Sequence, residues 1–291
     1  MKRLLYIAAV ALLTAACSNE NEELDTEKLV PVTVQVSDFS ISLDEPETRA
    51  AQNIADYAGI KVITLAFYDA NGTEVYKTTR QKSDNTTYTT FGRFNLNLYK
   101  GSYKMVVLGY GQSEGDVFTL TSPTEAAFTG AHARETFAAT QLVSITGTNA
   151  VNLSATLNRI VSKLILSSSD YRTEDATNIR VTFSAGGKSF NPTTGLALSN
   201  DGLTNTVSIS SEVGNPSSSV SYLFLASDEQ SIDVTIDVLN AQGNSISHRV
   251  VNSVPFKRNR TTNLTGAIYS APITSTFQVD ADWLPPYEVS F

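Results

Sequence analysis

Val30-Pro31-Val32-Thr33-Val34-Gln35-Val36-Ser37 sets an apolar side chain at every second position. A period of two marks a strand with one face in a core and the other in water, because successive side chains point to opposite faces. Phe39, Ile41 and Leu43 continue the alternation after a change of register. Further along, residues 60–68 and 73–78 are β-rich runs on either side of Asp69-Ala70-Asn71-Gly72. Asn-Gly in that place predicts a hairpin, since both residues tolerate positive φ. Residues 94–98 and 103–110 form another predicted pair joined at Lys100-Gly101, and 151–166 reads as one long strand. Residues 179–183, 188–190, 220–225, 232–239, 246–254 and 264–269 follow, parted by turns at Gly186-Gly187, Asn200-Asp201-Gly202, Asn215-Pro216 and Ala241-Gln242-Gly243-Asn244. Helical signal is confined to 50–58, 123–128 and 131–139. About fourteen strands exceed the ~7–9 of one ordinary sandwich. We therefore expect an all-β chain divided near residue 157, with bodies at 29–156 and 157–291.

The 291 residues include 34 Thr and 32 Ser, and 17% are charged. Thr favours strands and Ser favours turns, which argues against a helical bundle or a coiled coil. With 21 Lys plus Arg against 29 Asp plus Glu, the net charge is −8. A nucleic-acid binder needs a basic footprint to release counterions, so nucleic acid is not an expected partner. One Cys rules out a disulfide within the chain, and two His leave little for a metal centre or nucleophilic catalysis. No cofactor and no metal is expected.

Lys2 and Arg3 precede an apolar run at residues 4–16. About a dozen residues are too few for the ~20 that cross a bilayer, and the pattern reads as a signal peptide, residues 1–16. The run closes on Leu13-Thr14-Ala15-Ala16-Cys17, which resembles a bacterial lipobox. The resemblance implies a diacylglyceryl group on the Cys17 thiol, cleavage before it, and acylation of the new amino group. Two or three acyl chains anchor a protein stably. Removing the two charges of Lys2 and Arg3 takes the net charge from −8 to −10. Residues 17–28 then form a lipidated acidic tether, because Ser18-Asn19-Glu20-Asn21-Glu22-Glu23-Leu24-Asp25 has little to bury. It resembles the acidic signal that sends some Bacteroidetes lipoproteins to the outer face of the outer membrane.

Four short patterns touch on chemistry. Gly111-Gln112-Ser113-Glu114-Gly115 has the spacing of a nucleophile elbow, with His248 downstream. An elbow needs a helix after it, and Asp116-Val117-Phe118-Thr119-Leu120-Thr121 is β-like, so a turn is the better reading. Gly187-Lys188-Ser189 resembles the end of a phosphate-binding loop, but Thr182 stands where its first Gly belongs and Pro192 interrupts any following helix. Asp69, Asn71 and Gly72 echo half a calcium loop without the closing Glu. Lys257-Arg258-Asn259-Arg260 is a basic cluster that reads as a solvated turn.

A family likeness runs through four stretches: Leu65-Ala66-Phe67-Tyr68-Asp69-Ala70-Asn71-Gly72-Thr73-Glu74-Val75-Tyr76, Leu96-Asn97-Leu98-Tyr99-Lys100-Gly101-Ser102-Tyr103-Lys104-Met105-Val106-Val107, Leu157-Asn158-Arg159-Ile160-Val161-Ser162-Lys163-Leu164, and Val254-Pro255-Phe256-Lys257-Arg258-Asn259-Arg260-Thr261-Thr262-Asn263-Leu264-Thr265-Gly266. In that order, behind a lipobox, they resemble the fimbrillin superfamily of Bacteroidales, in particular the minor or anchor subunits of short fimbriae. The resemblance implies two tandem transthyretin-like β-sandwich domains and assembly into a type V pilus. It also implies cleavage after an Arg in the loop that follows the first strand. Arg49-Ala50 is the matching position, and Arg49 is the sole Arg between residues 4 and 79. Some anchor subunits of the family are not cut.

A sheet that lacks a strand offers unpaired backbone groups and apolar side chains, which a strand from another chain can satisfy. The candidate donor is the C-terminus, where Phe277, Val279, Ala281 and Trp283 alternate with polar residues. Leu284-Pro285-Pro286 breaks the ladder, and Tyr287, Val289 and Phe291 resume it. The same segment could instead close its own sheet. The expected function is a non-enzymatic structural subunit of a surface fimbria, held at the outer membrane through Cys17 and supporting adhesion. Its expected partners are other fimbrial subunits, joined by strand addition, and a host protein or glycan. The rival is a surface glycan-binding lipoprotein, which would gather exposed aromatics among Tyr57, Tyr88, Tyr99, Tyr110, Tyr222 and Trp283 around one groove.

Overall fold

The computed structural model describes residues 28–40, 51–54, 57–84, 91–130, 132–270 and 278–280. In chain order the strands are β1 (Val30–Ser40), β2 (Ala51–Asn53), β3 (Val62–Tyr68), β4 (Glu74–Gln81), β5 (Arg93–Leu98), β6 (Gly101–Tyr110), β7 (Phe118–Ser122), β8 (Glu125–Phe128), β9 (Thr136–Ile145) and β10 (Val151–Arg159). They continue with β11 (Ser162–Ser168), β12 (Asn178–Phe183), β13 (Ser189–Phe190), β14 (Leu203–Ser208), β15 (Ser218–Leu223), β16 (Glu229–Leu239), β17 (Ser245–Lys257), β18 (Thr261–Gly266) and β19 (Gln278–Asp280). Among the described residues the helical content is one 3-10 turn, Lys82–Asp84. The fold is all-β.

One pairing scheme occurs twice. In the first half β1 lies between antiparallel β5 and parallel β10, facing a layer ordered β4-β3-β6-β9. In the second half β11 lies between antiparallel β15 and parallel β18, facing a layer ordered β14-β12-β16-β17. Each pair of layers encloses its own apolar cluster. Val34, Phe67, Phe94, Phe137 and Leu157 mark the first, and Leu164, Phe183, Ile236, Val254 and Leu264 the second. Burying one such side chain stabilises by about 1.5–3 kcal/mol. In the first half the layers also touch at one corner, through Asn158↔Ala138 and Arg159↔Phe137.

A third, small sheet ordered β13-β8-β7 joins the halves, since β8 belongs to the first and β13 to the second. It covers the outer side of β3 and β6, and a third apolar cluster forms there from Val62, Tyr68, Leu108, Phe128, Phe190 and Phe224. Covering on both sides explains why β3 is buried at every position instead of alternating.

Several sequence expectations need correction. Residues 123–128 form a turn and β8, and 136–139 open β9, where the sequence carries a weak helical signal. Strand pairing with β7 and β6 overrides the helix propensity of the alanines there. Within 50–58, residues 51–53 form β2 and residues 50, 55 and 56 lie outside the described residues. β5 does not pair with β6 but crosses to the opposite layer and pairs with β1, turning Phe94, Leu96 and Leu98 into the first core and leaving Arg93, Asn95 and Asn97 exposed. The stretch 151–166 is two strands, and the chain passes between halves at Ile160-Val161.

The hairpin after β3 forms, by a different turn. Gly72 has φ 80°, whereas Asn71 does not take positive φ. The Asp69 carboxylate accepts the amides of Asn71 and Thr73, both at 2.9 Å. A register shift at Tyr68 absorbs the extra residue. The β16–β17 turn repeats the device with Asn240 as the acceptor and Gly243 at φ 80°.

Candidate functional site

β1 is the central strand of its layer and uses both backbone edges. Val32 pairs with Val151 on one side and Leu96 on the other. Val30, Val32, Val34 and Val36 all point into the first core and are at most 1% exposed. The register change expected after Ser37 is a bulge between Gln35 and Asp38. The chain then turns back, because β2 pairs antiparallel with the end of β1, Ser40 opposite Ala51. The link between them, residues 41–50, contains the candidate cleavage pair Arg49-Ala50 and lies outside the described residues. β1 is thus followed directly by the link that would be cut, while every backbone contact it makes belongs to its neighbours.

Two sheet edges complete the picture. Over Val151 to Leu157, β10 pairs with β1 alone among the described strands, and Val151 and Leu153 are only partly buried. The equivalent strand of the second half, β18, is flanked on its far side by β19, with Asn263↔Asp280, Leu264↔Val279 and Thr265↔Gln278. Of the candidate donor residues, Val279 lies in β19, whereas Phe277, Ala281, Trp283, Tyr287, Val289 and Phe291 lie outside the described residues, as does Cys17.

The last described segment before β19 is held by a residue that the sequence reading missed. Asp170 accepts the amides of Ile268 and Tyr269 at 2.9 Å each, and the amide and hydroxyl of Ser270 at 2.8 Å each. Burial raises its pKa, but the bonds from Ile268, Ser270 and Tyr269 outweigh that and hold the carboxyl below its ordinary value. No local motif announces it, since its partners are 98–100 residues away.

The other patterns resolve as structure. Ser113 lies in a turn, its amide donating to Asp116, whose carboxylate takes Arg134 in a two-pronged pair at 2.6 and 2.9 Å. A strand, β7, follows where an elbow needs a helix. His248 sits on β17 and bonds Asp237 at 2.8 Å. Gly187 bridges to Phe224, and Lys188 donates to the Gly130 carbonyl across the junction of the halves. The aromatics of the rival reading do not gather. Tyr110 is buried, Tyr57 packs on the first core and Tyr222 on the third cluster, Tyr99 is 52% exposed, and Tyr88 and Trp283 lie outside the described residues.

Residues 27–289 match the family of unknown function DUF6562, and the chain belongs to that family. No curated protein matches it. Among solved structures it is similar to a candidate adhesin from Bacteroides ovatus, at 10% identity over 91% of this chain and 99% of that one, with a TM-score of 0.56. It is also similar to the fimbrial anchor protein Mfa2 from Porphyromonas gingivalis, at 10% identity over 86% and 95% of the two chains, with a TM-score of 0.50. Candidate polysaccharide-binding proteins from Bacteroides thetaiotaomicron align at 11% identity over 86% and 96%, with a TM-score of 0.52. At these identities the shared property is the fold, and the structures that share it include the fimbrial and adhesin proteins of Bacteroidales that the resemblance named.

Proposed function

We propose that the chain is a structural subunit of a surface fimbria, built as two tandem transthyretin-like β-sandwich domains that meet at Ile160-Val161, a few residues beyond the division expected near 157. Acyl chains on Cys17 hold the uncut chain at the outer membrane and leave together with β1 when it is cut after Arg49, whereas an uncut anchor copy keeps both; subunits join by strand addition. The observation that carries this reading is the position of β1. It fills the middle of a sheet, supplies four buried valines, and leads straight into the link that contains Arg49. Cutting after Arg49 and losing β1 leaves β5, and β10 over Val151 to Leu157, without a partner above a bare core, which a strand of matching alternation fills. The donor is residues 277–291, held in the free subunit by the three pairs of β19. Fold likeness to a fimbrial anchor protein and to a candidate adhesin supports the same assignment.

Gel electrophoresis of unboiled surface extracts tests it. A ladder that heat dissociates, present in the wild type and lost in Arg49→Ala, is the expected result. Deleting residues 277–291 removes the ladder and leaves a folded monomer. Monomer alone in wild-type extracts overturns the proposal.

A further inference from the structure

Strand exchange gives no work to Lys257, Arg258, Asn259 and Arg260, the turn from β17 to β18. That turn is built with care. Asn259 takes φ 60°, its amide donates to the Val161 carbonyl at 3.1 Å, and the Arg260 carbonyl accepts the Lys163 amide at 3.0 Å. Its side chains reach across the junction of the halves. Asn259 Oδ1 accepts from Arg159 at the end of β10 at 3.2 Å, and Arg258 donates to the Thr194 carbonyl at 2.6 Å. The end of β10 and the turns at 192–195 and 257–260 thereby wall a cleft of about 530 Å³.

The lining of this cleft differs from the rest of the molecule. It holds Arg159, Lys257, Arg258 and Arg260, and neither an acidic nor an aromatic residue, in a chain of net charge −8. The acids that pair with Arg258 and Lys257, Asp228 at 2.7 Å and Glu229 at 2.8 Å, stand outside it with side chains 69% and 64% exposed. Exposed pairs of that kind contribute little and exchange readily with another anion. Arg159 is fixed by Glu135 at 2.8 Å and lies over the Phe137 ring, and its Nε–H is buried without a hydrogen-bond partner. Buried donors left unpaired are rare in folded proteins. The charged groups that line the cleft are all cations, so an anion entering it competes for them with the outlying carboxylates of Asp228 and Glu229.

We infer that this cleft binds an anionic saccharide. The guanidinium groups of Arg258 and Arg260 and the Lys257 ammonium take the acidic group of the sugar, since planar guanidinium matches a carboxylate or sulfate. Asn158 and Thr140, also in the lining, offer an amide and a hydroxyl to the ring hydroxyls. The lack of an aromatic platform selects charge over stacking as the means of recognition. The inference goes beyond fimbrial assembly and stands without it, because no residue of β1 or β19 lines the cleft.

The test is isothermal titration of the whole chain with three probes: an oligogalacturonate, the uncharged galactose oligomer of the same length, and a Glu-rich peptide of equal charge. Only the oligogalacturonate should bind, and salt should weaken it. The double variant Arg258→Gln and Arg260→Gln should lose about tenfold or more in affinity, the scale of one charge-assisted contact. Asp228→Asn with Glu229→Gln leaves the cleft walls intact, removes the competing acids and should tighten binding severalfold, so the inference survives any misfolding of the first variant. No oligogalacturonate binding, equal binding of the neutral oligomer or of the peptide, or wild-type affinity in both variants overturns it.

Discussion

Asp170 shows how one side chain can hold a chain end in place. Three backbone amides and one hydroxyl converge on its two oxygens, all within 2.9 Å, just before the segment that carries β19. Tyr269 adds a bond from its hydroxyl to Ser217 on the other side. A carboxylate that accepts so many N–H groups favours its charged form more in the fold than in the unfolded chain. Its folded pKa is therefore depressed. The stabilisation it supplies is complete above the unfolded value of ~3.9 and is lost as pH falls through the lower folded value. Asp170→Asn should cost about 1–3 kcal/mol at neutral pH, the scale of hydrogen bonds to a charged group. Thermal melts of both proteins between neutral pH and about pH 2 check the sign, because the gap between them should close only below about pH 4. Equal melting temperatures at neutral pH would remove Asp170 from the account.

At the scale of elements, β1 depends on a close backbone approach. The Val36 amide donates to the Gly92 carbonyl at 2.7 Å, and a Cβ at position 92 would lie 2.1 Å from the Val36 carbonyl oxygen. Backbone on both sides leaves no flexible group to yield. Gly92→Ala should push β5 away from β1, lower stability by about 2 kcal/mol or more, and raise amide exchange in β1 and β5 above that in β12 and β16. Uniform exchange across both halves would show that β1 does not depend on this contact. The same elements mark how far local reading reaches. The alternation of Val30, Val32, Val34 and Val36 made β1 legible, and the unbroken burial of β3, Thr64 included, reflects two covered faces. Partners were not legible. The one-faced pattern of β5 fits either neighbour, and its choice of β1, some sixty residues earlier, is settled by which core needs Phe94. β9 read as helix because Ala138 and Ala139 favour one. Ala138 is small because the third cluster packs on it. Arg49 and the donor residues other than Val279, which pairs with Leu264, lie outside the described residues and rest on pattern and resemblance.

The whole molecule turns on the junction of its halves. Phe118 and Phe128 of the first half meet Phe190 and Phe224 of the second at 6.2 and 6.3 Å, and Phe190 and Phe224 stack on each other at 4.2 Å. Backbone pairing crosses the same place, Ser189↔Ala127 and Phe190↔Ala126, and His132 meets Asn205 at 3.3 Å. Fully buried aromatics with strand pairing make an interface that resembles a core more than a hinge. In the proposed fimbrial role this joint would carry load from one half to the other. The halves should therefore unfold together. Calorimetry of the wild type should give one transition whose calorimetric and van't Hoff enthalpies agree, the mark of two-state behaviour. Phe→Ala at a buried site costs about 3–5 kcal/mol, so Phe190→Ala with Phe224→Ala should remove most of the coupling. Both rings sit outside the two main cores. Each half therefore keeps its own stability, and the single transition should split in two. Two transitions already present in the wild type would mean that the third cluster is a contact between independent bodies, and load would then concentrate at Ile160-Val161, where the chain crosses between them.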